Sequence, residues 1–447
     1  MDDLLTDAAS RAIRYLDQRD DRPVFPDTDA VDGLTALDEP LTDDGADAAA
    51  VLDLLDRVGG PATVATTGGR YFGFVTGGAH PVGLAAAWLT AAWDQNAAVA
   101  VMSPTAAALD RVAGRWLVDL FDLPTGTGHS FVSGTSMANT TALAAGRDRL
   151  LADAGHDVVA DGLFGAPPVR VVVGQAHSSI TKALGVLGLG RDRVTVAPSD
   201  EQGRMLVEQV PPSDEPTLVV AQAGNVNSGA CDPFDRIADH FGDTSHWIHV
   251  DGAFGLWAAV APNRRHLMAG VERAHSWAVD MHKWLNVTYD SAAVLVRDPA
   301  DLARSFAVGA AYIPRDGRAD PVHRGPDMSQ RARAAETWAV LKSLGRAGVA
   351  DLIERSCRHA ARFGTELAAA GFTVHNDVVL NQVMVSLGDD GRTEQLLDAV
   401  AESQVLWAGG STWNGRRVMR ISVSGWATTD ADVARSIEAL IDLERNL

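Results

Sequence analysis

The chain has 447 residues, of which 46% are hydrophobic, and a formal net charge of -20. That apolar content excludes a disordered protein, and the length predicts two domains or more. The acidity argues against nucleic acid and anionic membranes as partners.

At the amino end, Met1-Asp2-Asp3 has no apolar leader. Residues 8–19 read as a short amphipathic helix, which Arg22-Pro23-Val24-Phe25-Pro26 breaks into an extended arm. Residues 47–58 read as a second helix, ended by Gly59-Gly60-Pro61. This front segment packs either on a partner subunit or on its own large domain. Gly69-Arg70-Tyr71-Phe72-Gly73-Phe74-Val75-Thr76-Gly77-Gly78 is a glycine-punctuated aromatic loop. It suits a ligand entrance or a packed corner between domains. Helical periodicity follows over residues 82–93 and 105–121. The alanine-rich run over 82–100 is interrupted by Asp94, Gln95 and Asn96, too polar for a membrane span.

Strands and helices alternate from about 131 to 296. Short apolar runs at 169–173, 218–221, 247–250 and 292–296 read as strands buried on both faces. Helical stretches at 139–151, 179–187 and 233–240 lie between them. The pattern predicts an α/β fold with a mostly parallel sheet, whose ligands bind beyond the carboxyl ends of the strands. Residues 307–330 read as a long loop and 329–344 as a helix. The rest reads as a smaller α+β domain with strands near 381–385 and 417–423. Three segments are expected: an arm over 1–85 that serves dimerisation, a large domain over 86–330, and a small domain over 331–447.

Only three lysines occur, Lys182, Lys283 and Lys342. A lysine amine can form an imine with a carbonyl, whereas a guanidinium cannot. Lys283 stands in His282-Lys283-Trp284-Leu285, apolar surroundings that favour the neutral amine. Three further stretches point to the same chemistry. Ser133-Gly134-Thr135-Ser136-Met137-Ala138-Asn139 opens a helix, an anion site or an ordinary N-cap. In Gln175-Ala176-His177-Ser178-Ser179, His177 follows a strand, where its ring lies flat on a ligand or bonds its own loop. In His249-Val250-Asp251-Gly252-Ala253, a carboxylate ends a buried strand and needs a partner such as a protonated ring nitrogen. The small Gly252 and Ala253 leave room for a flat ring. Lys283 follows Asp251 by 32 residues, room for one helix and one strand.

These stretches together resemble the group II pyridoxal-5'-phosphate-dependent amino acid decarboxylases, of the aspartate aminotransferase fold, type I. The likeness runs from about residue 21 to the C-terminus. It implies that Lys283 forms the internal aldimine, that His177 stacks on the pyridine ring and orients the substrate carboxylate, and that Asp251 holds the ring nitrogen. It implies that Ala253 touches the ring, that Gly134, Thr135 and Ser136 take the phosphate, and that Asp280, His282 and Asn225 lie nearby. Tyr312, 29 residues after Lys283, matches a tyrosine that protonates the carbon after carbon dioxide leaves. Phe72, Phe74 and Thr76 fall in the family's substrate-access loop, and Asn96 and Ala98 in its substrate region, where aromatic decarboxylases carry bulkier groups. Asp280 occupies a place often held by asparagine, so a second anion beside the phosphate calls for a compensating cation.

The expected activity is therefore decarboxylation of an L-amino acid to a primary amine by a cytoplasmic homodimer, with no metal. The two cysteines fit a reducing compartment. Aldol cleavage, decarboxylative oxidation, transamination, or cofactor binding without turnover are the alternatives. A dinucleotide site is not expected, because Gly134-Thr135-Ser136-Met137-Ala138-Asn139 lacks the G-x-G-x-x-G turn.

Overall fold

Runs of β-branched and small apolar residues become strands wherever both faces can be covered. The structure, a computed structural model, describes residues 2–242, 244–309 and 320–447. Its larger sheet contains β1 (Gly128–Val132), β2 (Arg170–Val173), β3 (Thr195–Val196), β4 (Thr217–Gln222), β5 (His246–Asp251), β6 (Ser276–Asp280) and β7 (Ala292–Val296). A smaller sheet contains β8 (Thr373–Val374), β9 (Gln382–Ser386), β10 (Gly409–Trp413) and β11 (Arg416–Ser422). The spatial orders are β1-β7-β6-β5-β4-β2-β3 and β10-β11-β9-β8.

Strands β3, β2, β4, β5 and β6 run parallel. Strand β7 is antiparallel to both β6 and β1, so β1 points the same way as β6. The mostly parallel sheet expected from the alternating pattern is therefore present, with β7 as its one reversed member. Val171, Val173, Leu218, Val220, Val294 and Trp247 pack with Leu143, Ile180 and Leu184 of the flanking helices. Helix Thr135–Asp153 carries no hydrophilic stripe; Ala138, Ala142 and Ala145 let it lie close on the sheet. Small residues permit that approach, and burying apolar area stabilises it by roughly 25 cal/mol per Å².

The chain divides into two compact units, but not along the three segments read in the sequence. One comprises residues 79–361 and 375–383; the other comprises 1–78, 362–374 and 384–447. The front segment joins the second unit because its backbone pairs there. Phe72 N–H donates to Trp407 O at 2.8 Å, and Ser422 N–H donates to Phe72 O at 2.8 Å. Val24 N–H donates to Gln404 O at 3.0 Å. Tyr71 stacks on Trp407 with ring centroids 5.1 Å apart.

The segment from Asp251 to Lys283 also differs from expectation. In place of one helix it holds three short 3-10 turns, Gly255–Val260, Arg265–Met268 and Val271–Arg273, before β6. Gly255 lies directly on the neighbouring backbone, where a Cβ would sit 2.3 Å from Ala223 O, so no longer regular helix fits there. The helix read at 329–344 begins at Arg333, and Gly345, at φ +62°, interrupts it.

Candidate active site

The parallel strands bring five loops to one edge of the larger unit. Strands β1, β2, β4, β5 and β6 all end there. The residues that follow are Gly134 and Thr135, His177, Asn225, the Asp251–Ala253 turn, and His282 with Lys283. This is the edge at which a parallel sheet binds ligands, because helix N-termini and strand ends converge on it.

Lys283 sits on the tight connection from β6 to β7. Asn286, at φ +58°, turns the chain, with its N–H on Lys283 O at 3.1 Å. Trp284 and Leu285 are wholly buried and anchor the turn, while the Lys283 side chain is 22% exposed. The amine is thus carried on a fixed base by a partly exposed side chain.

Its nearest charge is Asp280, whose Oδ2 lies 2.9 Å from Lys283 Nζ. The other oxygen, Oδ1, accepts the Thr135 N–H at 2.7 Å and lies 3.5 Å from His282 Nε2. The compensating cation that Asp280 requires is therefore Lys283 itself. Burial pushes this carboxyl upward, yet Lys283, His282 and the Thr135 amide outweigh it and hold Asp280 below the usual carboxylate range. Burial pushes His282 downward, against the opposing pull of Asp280.

Asp251 ends β5 almost completely buried. Its Oδ2 accepts Asn139 Nδ2 at 3.1 Å, and its Oδ1 accepts the Ala253 N–H at 3.2 Å. Burial raises the Asp251 carboxyl, while Lys283 and His177 pull in the opposite direction. His177 is exposed and caps its own helix: Ser179 N–H donates to Nδ1 at 3.2 Å, and Ser179 Oγ lies 2.9 Å from the same nitrogen. The structure thus shows the loop bond of His177, with its ring at the open edge.

Asn225 is buried, and its Oδ1 accepts the N–H groups of Asn227 at 2.9 Å and Ser228 at 3.2 Å. Ser136 is exposed at the start of helix Thr135–Asp153. The room at Gly252 serves packing: a Cβ there would lie 2.7 Å from Leu256 Cβ and 3.1 Å from Ala278 O. Asn139 was not singled out from sequence, because its role depends on partners up to 112 residues away.

The expected substrate residues are placed differently. Phe72 is fully buried in the smaller unit, edge-on to Phe363 at 5.1 Å, so its ring packs the core and does not face a ligand. Thr76 is buried there too, whereas Phe74 is exposed and stacks on Trp407 at 5.3 Å. In the larger unit Asn96 Oδ1 accepts the N–H groups of Ala98 at 3.0 Å and Gln330 at 3.3 Å. Asn96 therefore braces the chain near residue 330, and Ala98 packs with Val99 and Val322. Tyr312 lies outside the described residues.

Two features fit pyridoxal 5'-phosphate at this edge. The Thr135 Oγ1 hydroxyl, on the first residue of its helix, is buried with no hydrogen-bond partner among the described residues. An anion at a helix N-terminus would satisfy it. Asp251 is a buried carboxyl group whose hydrogen-bond donors are two neutral N–H groups, and a protonated ring nitrogen would add a directly bonded cation. Gly134 would hold the phosphate through its backbone, with His282 Cε1 3.5 Å from the position of a Cβ.

Comparison with known proteins agrees with this chemistry. Residues 61–387 match the pyridoxal-dependent decarboxylase conserved domain. The chain is 27% identical over 360 residues to the aromatic-L-amino-acid decarboxylase of Bacillus atrophaeus, covering 78% of this chain and 73% of that protein. It is 30% identical over 324 residues to the aromatic-L-amino-acid decarboxylase of Drosophila lebanonensis, covering 67% and 79%. Its fold matches that of Oryza sativa TDC, solved with PLP and tryptamine, with a TM-score of 0.92 at 21% identity over 99% of this chain and 97% of that one.

Proposed function

This chain belongs to the pyridoxal-dependent decarboxylase family, and from that premise we propose how its own residues divide the work. It is a pyridoxal-5'-phosphate-dependent amino acid decarboxylase, a carboxy-lyase. When bound, the cofactor supplies an aldehyde that condenses with amines and an electron-poor ring that takes the electron pair left as a carboxylate departs as carbon dioxide. In this reading Lys283 Nζ would hold the cofactor through its aldehyde and yield it to a substrate amine, and Asp280 Oδ2, 2.9 Å from Nζ, would orient the lysine amine. Asp251 holds a proton at the ring nitrogen, and Ala253 borders the ring. The hydroxyl of Thr135 and the backbone at Gly134 and Ser136 bind the phosphate, beside His282 and Asn225. His177 would lie against the ring and orient the substrate carboxylate. Tyr312 or His177 returns one proton to the carbon that lost carbon dioxide, and the L-amino acid leaves as a primary amine.

The observation that carries this reading is that Asp251 is buried at the end of β5, on the edge that also presents Lys283 and an unsatisfied Thr135 hydroxyl. Purified protein is expected to show an imine absorbance band, bleached by borohydride and lost in Lys283→Ala. Amino acids screened for carbon dioxide release should give stoichiometric amine without oxygen uptake. Aldehyde with oxygen uptake would replace this outcome by decarboxylative oxidation, and no release from any amino acid would sink the assignment of these roles.

A homodimer belongs to the same reading. Trp88, Leu89 and Trp93 are exposed along helix Pro81–Trp93, and Val101 and Met102 are exposed just beyond it. Exposed large apolar side chains of this kind support burial against a second copy. Sedimentation equilibrium at the mass of one chain would reject it. The buried free thiols of Cys231 and Cys357 support a cytoplasmic setting, which cell fractionation tests.

A further inference from the structure

We propose that a one-way chain of hydrogen bonds, running from Trp247 through Ser276 and His249 to Asn139, orients the two residues that grip the cofactor ring. The inference rests on the reading that Asp251 and His177 face that ring. In this chain Asn139 is a positioning residue: it acts through Asp251 and Ser179.

Donor and acceptor chemistry sets the direction. The Trp247 indole can only donate, and its Nε1 lies 2.8 Å from Ser276 Oγ. Ser276 Oγ can accept that bond and still accept or donate another, so the direction is fixed from the far end. The Asp251 carboxylate only accepts, which turns the Asn139 NH2 toward it and Oδ1 toward His249 Nε2. The neutral ring then takes the Ser276 O–H on Nδ1 at 2.9 Å. His249 Nδ1 is thereby an acceptor, and the ring proton sits on Nε2. Nε2–H then donates to Asn139 Oδ1 at 2.9 Å. With Oδ1 committed, the Asn139 NH2 must face the other way. There it donates to Asp251 Oδ2 at 3.1 Å and to Ser179 Oγ at 3.2 Å. Because the Ser179 N–H donates to His177 Nδ1, that nitrogen is an acceptor, and the Ser179 O–H, 2.9 Å away, points to it as well. The Ser179 N–H reaches the same nitrogen, so the His177 proton also sits on Nε2.

Every link is directional, and reversing the amide would set Asn139 Oδ1 against the Asp251 carboxylate. His249, Ser276 and Asn139 are completely buried, so water is not at hand to rescue a reversed link. Burial also pushes His249 down to about 3, so it stays neutral and does not change its hydrogen-bond pattern near neutral pH. One amide thus reaches both residues: one hydrogen holds the Asp251 carboxylate, and the other holds the Ser179 hydroxyl that bonds His177 Nδ1 beside the Ser179 N–H. The anchor lies on β5 and β6, away from the open edge.

The test uses full-length apoprotein titrated with pyridoxal 5'-phosphate, together with nitrogen NMR of labelled histidines, with His177 assigned by His177→Gln. Asn139→Asp keeps the acceptor for His249 but replaces the NH2 by a carboxylate facing Asp251. Its Kd for the cofactor is expected to rise about tenfold to a hundredfold, the effect of losing a hydrogen bond to a charged group. The His177 Nε2–H signature should also be lost or mixed. Trp247→Phe removes the donor at the far end together with part of a buried ring that stacks on His275, and serves where Asn139→Asp does not fold. It should raise the Kd in the same direction by roughly threefold, as for one weak buried bond. An unchanged Kd and an unchanged His177 signature in the variant that folds overturn the relay. Asp251→Asn separates the two levels. If it leaves the Kd unchanged, the reading of Asp251 against the ring fails; if it weakens binding while Asn139→Asp does not, only the relay fails.

Discussion

Lys283 Nζ lies 2.9 Å from Asp280 Oδ2, and Asp280 Oδ1 takes the first amide of the helix Thr135–Asp153 at 2.7 Å. One carboxylate therefore ties the amine on the β6–β7 connection to the helix that opens after β1. Asp280→Ala should remove both the cap and the ion pair, and cost about 2–4 kcal/mol of folding stability. Asp280→Asn keeps an oxygen for the Thr135 amide and should cost about half as much. Urea midpoints at fixed m-value measure the difference, and equal losses in the two variants would show that the charge, not the cap, is what matters.

Gly252 is small for packing reasons. Its added Cβ would meet Leu256 Cβ at 2.7 Å and Ala278 O at 3.1 Å, and neither belongs to a flexible side-chain end. Gly252→Ala is expected to lose about 1–3 kcal/mol of stability through overpacking. A calorimetric midpoint unchanged from the parent would mean that the turn after β5 has more room than its contacts show.

His249 makes stability depend on pH in a defined window. Its folded value is pushed down to about 3 by burial, against 6.5 for the free side chain. Between those values the unfolded chain binds a proton that the folded chain refuses. The contribution is therefore fully present above pH 6.5 and falls as pH drops, by up to about 1.4 kcal/mol per unit. Asp232 works the other way. Burial raises it to about 6, so its contribution is present below 3.8 and is lost as pH rises through 6. Comparing the parent with His249→Gln cancels that opposing slope. The variant should lose less stability between pH 7 and pH 5 than the parent does; parallel profiles would show that His249 titrates normally.

Tyr312→Phe tests the proton donor proposed from the spacing to Lys283. Loss of a positioned general acid lowers turnover by about 10²–10⁴-fold. Amine formation should fall by that range while cofactor binding and its absorbance band stay as in the parent. Amine formation at the parental rate would assign the proton to His177.

Much of this site is legible in the linear chain. Lys283 is one of three lysines, and its histidine and tryptophan neighbours mark it out. Asp251 and His177 follow apolar runs that can only be buried strands, and parallel strands put such residues on one edge. Those inferences need only local periodicity, which burial imposes on each segment separately. Strand β6 is harder to read, because Ser276 and Asp280 are polar at both of its ends and Trp247 and the sheet supply their burial. Phe72 reads as a ligand contact in a glycine-rich loop, and only the backbone pairing with Trp407 and Ser422 turns its ring into the core. Asn139 looks like an ordinary helix residue, since the atoms that give it a direction lie 40, 110 and 112 residues away. Residue types and their spacing determine which chemistry this chain can perform. The register of distant strands decides which amide holds which carboxylate, because a hydrogen bond's direction depends on every partner in the chain behind it.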